Sequence, residues 1–191
     1  MISGETHICF IVSYIVTKRI PISYYFKDIF FYSFLLLIIL GYHFIINKKD
    51  FNDFNIKGIF PDIKILLWGA FCIFGLFILI NRAILIEFES FHLPSYEKLV
   101  SIFLAVVTEE IISRYYIQGI SLKAFNPVYS IVFSSILFSL LHFFFRQFEL
   151  KLFLCYFLSG IIYGYTYHKS KNLSIPLFLH FFNNILPSFF H

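Results

Sequence analysis

Residues 108–114 read Thr-Glu-Glu-Ile-Ile-Ser-Arg, and the organisation of the whole chain follows from this stretch. It places two adjacent carboxylates and an arginine inside an otherwise apolar sequence. An ionisable side chain near the centre of a bilayer costs roughly 2.5–3.5 kcal/mol on insertion scales, so these charges require a reason. Residues 138–142 and 180–184 have the same character. We expect the three segments to meet inside a helical bundle and form one hydrolytic site.

The composition is that of an integral membrane protein. Of 191 residues, 59% are hydrophobic and 14% are charged, whereas soluble domains carry about 25% charged residues. The abundant Phe and Tyr suit lipid-facing surfaces and interfacial belts. We interpret the net charge of +4 as a mark of cytoplasmic loops, because no basic run alternates with aromatic residues as in nucleic-acid binding. The prediction is a multi-pass protein of a bacterial plasma membrane, with lipids as partners and no nucleic acid.

The hydropathy pattern predicts an all-α polytopic transmembrane bundle of six to seven hydrophobic helices, in one domain that spans residues 1–191. The predicted segments are 29–46, 63–80, 99–117, 128–145, 150–167 and 175–190. A further apolar run at 8–16 is too short to span alone, because a hydrocarbon core takes about 20 residues. Asn126 followed by Pro127 marks a helix start. Residues 1–95 are predicted to be variable N-terminal helices without a chemical motif.

The two glutamates of the first stretch are predicted to have different partners. Glu110 and Arg114 are four residues apart on a helix with the acid first, so Arg114 can neutralise Glu110 within the helix. Glu109 points about 100° away and needs a partner from another helix. A carboxylate in that position is a candidate general base. The alternative is a structural charge network that joins two helices.

Polar residues recur on two later apolar helices. His142 follows Phe138 by four residues, and His180 and Asn184 share a helix face at the same spacing, with Asn183 close to it. Imidazole and carboxamide N–H groups are the donors that an oxyanion needs. Alone, each could be an interhelical hydrogen bond worth about 0.6–2 kcal/mol. An acid, two histidines and an amide on three apolar helices together favour a catalytic site.

Other hydrolytic designs do not fit the sequence. No histidine is followed by glutamate, so the zinc-binding HExxH helix is missing, and so is a rhomboid-like GxSG. Ser113 has no histidine in its own segment, which disfavours it as a nucleophile. The remaining histidines lie at segment ends or in loops and are interpreted as solvated: His7, His43, His92, His168 and His191.

The three segments resemble the signature of the CPBP family, the CAAX-protease and bacteriocin-processing (Abi) intramembrane glutamic proteases. That signature is EExxxR, then FxxxH, then HxxxN, and here residues 109–114 read EEIISR, 138–142 read FSLLH and 180–184 read HFFNN. The similarity marks residues 96–191 as a CPBP/Abi-like catalytic core. One departure is Tyr115, where many relatives carry Gly, and there we expect a change in packing without loss of the chemistry.

The resemblance implies an intramembrane endopeptidase similar to CAAX prenyl protease 2, acting on a membrane-associated peptide or protein. Glu109 with His142 would activate a water, and His180 with Asn184 would stabilise the oxyanion. The remaining pair of the signature, Glu110 and Arg114, would orient the glutamate helix.

Cofactors and alternative functions remain open at this point. We expect no cofactor; if a metal such as zinc is bound, its ligands would be Glu109, His142 and His180. One alternative is a non-catalytic membrane immunity or regulatory protein, of the bacteriocin self-immunity type, that uses the same polar cavity for binding. Another is a small transporter with a proton relay. No motif identifies the substrate or the oligomeric state.

Overall fold

The computed structural model describes residues 24–48, 54–56, 62–84, 94–143 and 147–189, and within them the protein is helical without strands. The prediction of an all-α fold is therefore confirmed for this part of the chain, whereas the apolar run at 8–16 lies outside it. The described residues form six long helices: α1 (Tyr24–Gly41), α2 (Ile63–Ile84), α3 (Tyr96–Glu110), α4 (Pro127–Leu141), α5 (Leu150–Ser170) and α6 (Ser174–Ile185).

Three helices continue in other helical forms. A π-helix, Tyr42–Ile46, follows α1, and a second, Ile111–Gln118, extends α3 into the short turn Gly119–Ser121. The 3₁₀ turn Leu186–Phe189 follows α6. A π-helix is rare and is frequently found at functional sites. The longer of the two begins directly after the paired glutamates.

Local sequence sets the helix starts. Ser95 caps α3 by accepting a hydrogen bond from the Lys98 backbone N–H at 3.3 Å. At the start of α4, the Asn126 side chain accepts one from the Tyr129 N–H at 3.1 Å, and Pro127 occupies the first helical position. The Ser95 and Asn126 side chains each satisfy a backbone donor that has no partner within its helix. The start predicted at residues 126–127 is confirmed.

One helix among the described residues, Tyr25–Ile46, is long and apolar enough to cross a membrane by length and composition. Ile63–Leu79 and Pro127–Leu141 are apolar but shorter. Helix α3 carries ionisable residues in its interior, which lowers its mean hydropathy. By this measure the membrane-spanning character predicted for the chain is supported at one helix, and the multi-pass topology stays a prediction.

Helices α3, α5 and α6 form the centre of the described bundle. Helix α4 packs most closely on α5, α1 packs on α3, and α2 packs on α5 and α6. Small residues permit the close approach of α5: a Cβ at Gly160 would lie 3.1 Å from the Ser135 Cβ, and one at Gly164 would lie 3.0 Å from Gln118 Oε1. Such small-residue contacts are typical of helix packing in membranes.

The interpretation of His43 as solvated is wrong. Its ring is fully buried, stacks on Phe54 with centroids 4.1 Å apart, and lies 5.5 Å from the Tyr115 ring. Its Nδ1 lies 3.1 Å from the Tyr116 hydroxyl, which supplies the hydrogen-bond partner that a buried imidazole needs. These partners are distant in the sequence, so the position of His43 at a helix end did not reveal its burial.

The structure also describes two further residues for which the sequence made predictions, Tyr115 and His168. Tyr115 packs against Phe54 with centroids 4.8 Å apart, so the residue that departs from the family pattern is part of an aromatic cluster. His168 is half-buried, and its Nδ1 lies 3.2 Å from Lys171 Nζ. The predictions for the remaining three lie outside the described residues: His7, His92 and His191.

Candidate active site

Glu109 and two histidines from different helices converge on one point. Glu109 Oε2 lies 3.8 Å from His142 Nε2 and 3.7 Å from His180 Nε2. Glu109 lies on α3, His142 directly follows the last residue of α4, and His180 lies on α6. Glu109 and His142 are 22% and 21% exposed, whereas His180 is 2% exposed. The cluster is therefore accessible to a small molecule from the side of Glu109 and His142 and closed behind His180.

Glu110 is fully buried and has two partners. Its Oε2 accepts a hydrogen bond from Arg114 Nε at 3.1 Å, which is the ion pair that the spacing predicts. Its Oε1 lies 2.9 Å from His180 Nδ1. The contact with His180 was not predicted, because we considered Arg114 sufficient to satisfy this acid. A carboxylate has two oxygens, so the arginine and the histidine each occupy one.

Arg114 anchors the glutamate helix to its neighbours. This fully buried side chain donates from Nη1 to Ser134 Oγ at 3.2 Å and to Gln118 Oε1 at 3.5 Å. Gln118 in turn donates to the Gly164 carbonyl at 2.9 Å. The guanidinium also lies over the Phe138 ring, 5.4 Å from its centroid. A buried charge is tolerated when it is paired and hydrogen-bonded in this way, and the contacts fasten α3 to α4 and α5.

Hydrogen bonds at Nδ1 orient both histidines. His142 Nδ1 lies 2.9 Å from the Phe138 carbonyl, and His180 Nδ1 contacts the Glu110 carboxylate. A carbonyl or carboxylate oxygen only accepts, so each Nδ1 carries the proton. Each Nε2 consequently points towards Glu109. In the neutral state that nitrogen accepts hydrogen bonds, and in the doubly protonated state it donates.

Two tyrosines of α5 hold the imidazole rings in place. Tyr156 stacks on His142 with centroids 4.0 Å apart, and Tyr163 stacks on His180 at 4.9 Å. Phe138 lies edge-on to both rings, at 4.7 and 5.5 Å. Neither tyrosine was predicted from the sequence as part of the site. Their spacing of seven residues, which places them on one helix face, is the signal that could have found them.

Asn184 lies one turn after His180 on α6 and is half-buried. Within the described residues its carboxamide makes no hydrogen bond to Glu109, His142 or His180. The role of Asn184 as an oxyanion donor therefore stays a prediction.

A fourth side chain reaches Glu109 from the N-terminal half. The Tyr32 hydroxyl, on α1, donates to Glu109 Oε1 at 3.3 Å. This contact was not predicted, because α1 contains no chemical motif and has the pattern of an apolar span.

Among the residues that the structure describes, no group of three or more His, Cys, Asp or Glu side chains is arranged to hold a metal ion. The three residues named from the sequence for a metal, Glu109, His142 and His180, do not form such a group.

Comparison with known proteins identifies the family. The family model described as type II CAAX prenyl endopeptidase Rce1-like matches residues 91–186, a range that includes the paired glutamates, both histidines and Asn184. No curated protein and no solved structure matches the chain. The family consists of membrane proteins and is one of proteases. The matched range covers half of the chain and contains Glu109, His142 and His180, and the protein therefore belongs to the type II CAAX prenyl endopeptidase Rce1-like family.

Proposed function

We propose that the protein is a multi-pass intramembrane endopeptidase that hydrolyses a peptide bond of a membrane-associated peptide or protein. The observation that supports it is the position of Glu109 Oε2, within 4 Å of Nε2 of both His142 and His180 in a partly exposed cluster. A carboxylate beside two oriented imidazoles can bind a water and take its proton. The family match supports the same class of reaction.

The first step is attack by an activated water. A water bound to Glu109 Oε2 and His142 Nε2 donates one hydrogen to each of these acceptors, so its oxygen lone pair is directed at the scissile carbonyl. As the C–O bond forms, Glu109 accepts the proton of the water. General base catalysis of this kind contributes about 10²- to 10⁴-fold to the rate.

The second requirement is stabilisation of the oxyanion. Because the Nδ1 proton of His180 is directed at Glu110, its Nε2 can donate only when the ring is doubly protonated. The buried carboxylate of Glu110 stabilises that imidazolium, as the aspartate of a catalytic triad stabilises its histidine. His180 and the carboxamide of Asn184 then act as the two donors.

Collapse of the intermediate completes the reaction. The C–N bond breaks, and Glu109, now protonated, transfers its proton to the leaving amine. This sequence regenerates the carboxylate and requires no metal. We expect cleavage to continue in a strong chelator; reversible loss of activity would assign Glu109, His142 and His180 as metal ligands.

The test uses the full chain reconstituted in liposomes with two fluorogenic peptides, one carrying a farnesylated CAAX C-terminus and one of matched sequence without the lipid. We expect cleavage of a membrane-bound peptide, and loss of cleavage in Glu109→Ala and His142→Ala. The conservative Glu109→Gln also loses activity because an amide cannot accept the proton of the water. Glu97→Gln, at an exposed position in the first turn of α3, is the matched control and stays active.

The outcomes separate the alternatives. Cleavage that persists in folded Glu109→Ala or His142→Ala protein contradicts the mechanism. A biological phenotype that survives Glu109→Gln, without any peptide cleavage by the wild type, indicates a binding role for the cavity. Preference for the farnesylated peptide over its lipid-free partner would assign the substrate class.

A further inference from the structure

The two oxygens of Glu109 have different surroundings. Oε2 faces the two imidazoles, whereas Oε1 accepts a hydrogen bond from the Tyr32 hydroxyl at 3.3 Å. Tyr32 lies on α1, far outside the residues that match the family model, which begin at 91. The donor to the proposed general base therefore comes from a helix without a recognised motif.

We propose that Tyr32 is a positioning residue for Glu109: it holds Oε1, so that Oε2 stays directed at His142, His180 and the water between them. This inference rests on the proposed function and extends it to the N-terminal half of the chain. Tyr32 acts through Glu109 and is not itself a participant in bond making or breaking.

The physical reason is that a glutamate carboxylate rotates easily about its terminal torsion. Its terminal torsion is broad and roughly two-fold, so a carboxylate held at one oxygen only can rotate and exchange its oxygens. Hydrogen bonds to an ionised acceptor are about twice as strong as neutral ones and restrict this rotation. Arg114 cannot serve here, because its guanidinium is directed at Glu110.

The position of the tyrosine is itself supported by packing. Helix α1 lies along α3, which brings the half-buried Tyr32 beside Glu109. The Phe31 ring lies edge-on to the Tyr32 ring with centroids 5.2 Å apart, which limits its movement. The structure thus provides a constrained donor, and the catalytic unit includes α1 as well as the matched segment.

The experiment compares Tyr32→Phe with wild type in the liposome assay of the full chain. The substitution removes one hydroxyl and retains the ring. We expect kcat to fall roughly tenfold to a hundredfold, as for the loss of a hydrogen bond to a charged group, with KM changed by less than about twofold. Tyr42→Phe, which removes an exposed hydroxyl in the π-helix after α1, is the matched control and leaves both constants unchanged.

A rescue and a stability measurement distinguish positioning from a general structural effect. Incorporation of 3-fluorotyrosine at residue 32 restores a hydroxyl donor, and we expect kcat within about threefold of wild type. The thermal unfolding temperature of Tyr32→Phe should match that of the control. Wild-type kcat in Tyr32→Phe overturns the proposal, and so does a raised KM at unchanged kcat, which would indicate contact with substrate.

Glu109→Ala, measured in parallel, keeps the two proposals apart. If it abolishes cleavage while Tyr32→Phe has no effect, only the role of Tyr32 is refuted. If cleavage survives Glu109→Ala, the proposed function itself fails.

Discussion

The outward faces of α1 and α2 and the interior of α3 to α6 have opposite polarity. On the two N-terminal helices large apolar side chains are exposed, among them Phe26, Phe30, Leu37, Leu67, Phe71 and Leu79. Inside the four C-terminal helices the buried side chains include many polar ones, among them Thr108, Glu110, Arg114, Gln118, Ser134 and His180. Soluble proteins place these residue types the other way round. The contrast fits a chain surrounded by lipid, in which polar groups find partners within the protein.

The buried polar groups themselves fall into two kinds. Ser135 and Ser139 donate to backbone carbonyls of their own helix, at 2.7 and 2.8 Å. The side chains of Glu110, Arg114 and Gln118 instead form hydrogen bonds with residues of other helices. Bonds within one helix satisfy a hydroxyl and permit close packing, but they fix no geometry between helices. The cross-helix bonds therefore fix how the helices that carry the candidate site are arranged. The following substitutions test this difference from the largest expected effect to the smallest.

Arg114→Met is expected to lower the free energy of unfolding most, by about 3–5 kcal/mol, because it leaves the Glu110 carboxylate buried without its cation. Chemical denaturation in detergent micelles measures the loss. Lys64→Ala, an exposed cation at the start of α2, is the control. The double variant Arg114→Met/Glu110→Gln should recover part of the stability. If Arg114→Met and Lys64→Ala lowered the free energy of unfolding equally, the buried polar interior would matter no more for stability than the exposed face of α2.

Asn184→Ala is expected to lower kcat by about 10²- to 10³-fold, the effect of removing one oxyanion donor. Steady-state cleavage of the membrane-bound peptide measures it. Asn47→Ala, at the exposed end of the π-helix that follows α1, should be without effect. A kcat for Asn184→Ala within threefold of wild type would show that His180 stabilises the oxyanion without this carboxamide.

Glu110→Gln is expected to lower kcat by roughly tenfold to a hundredfold, as substitutions of supporting partners commonly do. A neutral amide stabilises the His180 imidazolium less than a carboxylate, so the loss should appear in kcat with little change in KM. Glu149→Gln, at an exposed position just before α5, serves as the control. Full activity in Glu110→Gln would contradict the charged state that we assign to His180.

Gly164→Ala and Gly75→Ala compare the two regions by a single methyl group. A Cβ at Gly164 would lie 3.0 Å from Gln118 Oε1 and 3.1 Å from Arg114 Nη1, whereas one at Gly75 would have no neighbour within 4 Å. We expect Gly164→Ala to destabilise by about 1–3 kcal/mol and Gly75→Ala to stabilise by about 0.5–1 kcal/mol. Unfolding temperatures of the two variants measure this difference, and identical shifts would contradict it.

Local features of the fold follow from short-range pattern. The start of α4 at Pro127, the continuous apolar helix that ends at Ile46 and the pairing of Glu110 with Arg114 each depend on residues within one or two helical turns. The π-helix after Glu110 was not predicted, because the pattern was interpreted with the α-helical period throughout. The burial of His43 was missed for a different reason, since Phe54 and Tyr116 reach it from other segments.

The amino-acid order alone was enough to locate the long helices of the described residues to within a few residues. It also singled out the three segments that carry Glu109, His142 and His180, because these depend on periodicity and on the cost of burying charge. The contacts of His180 with Glu110 and of Tyr32 with Glu109 came only from the folded chain. His180 lies 70 residues from Glu110, and Tyr32 lies 77 residues from Glu109. No local spacing encodes such contacts; they arise from how α1, α3 and α6 pack against one another.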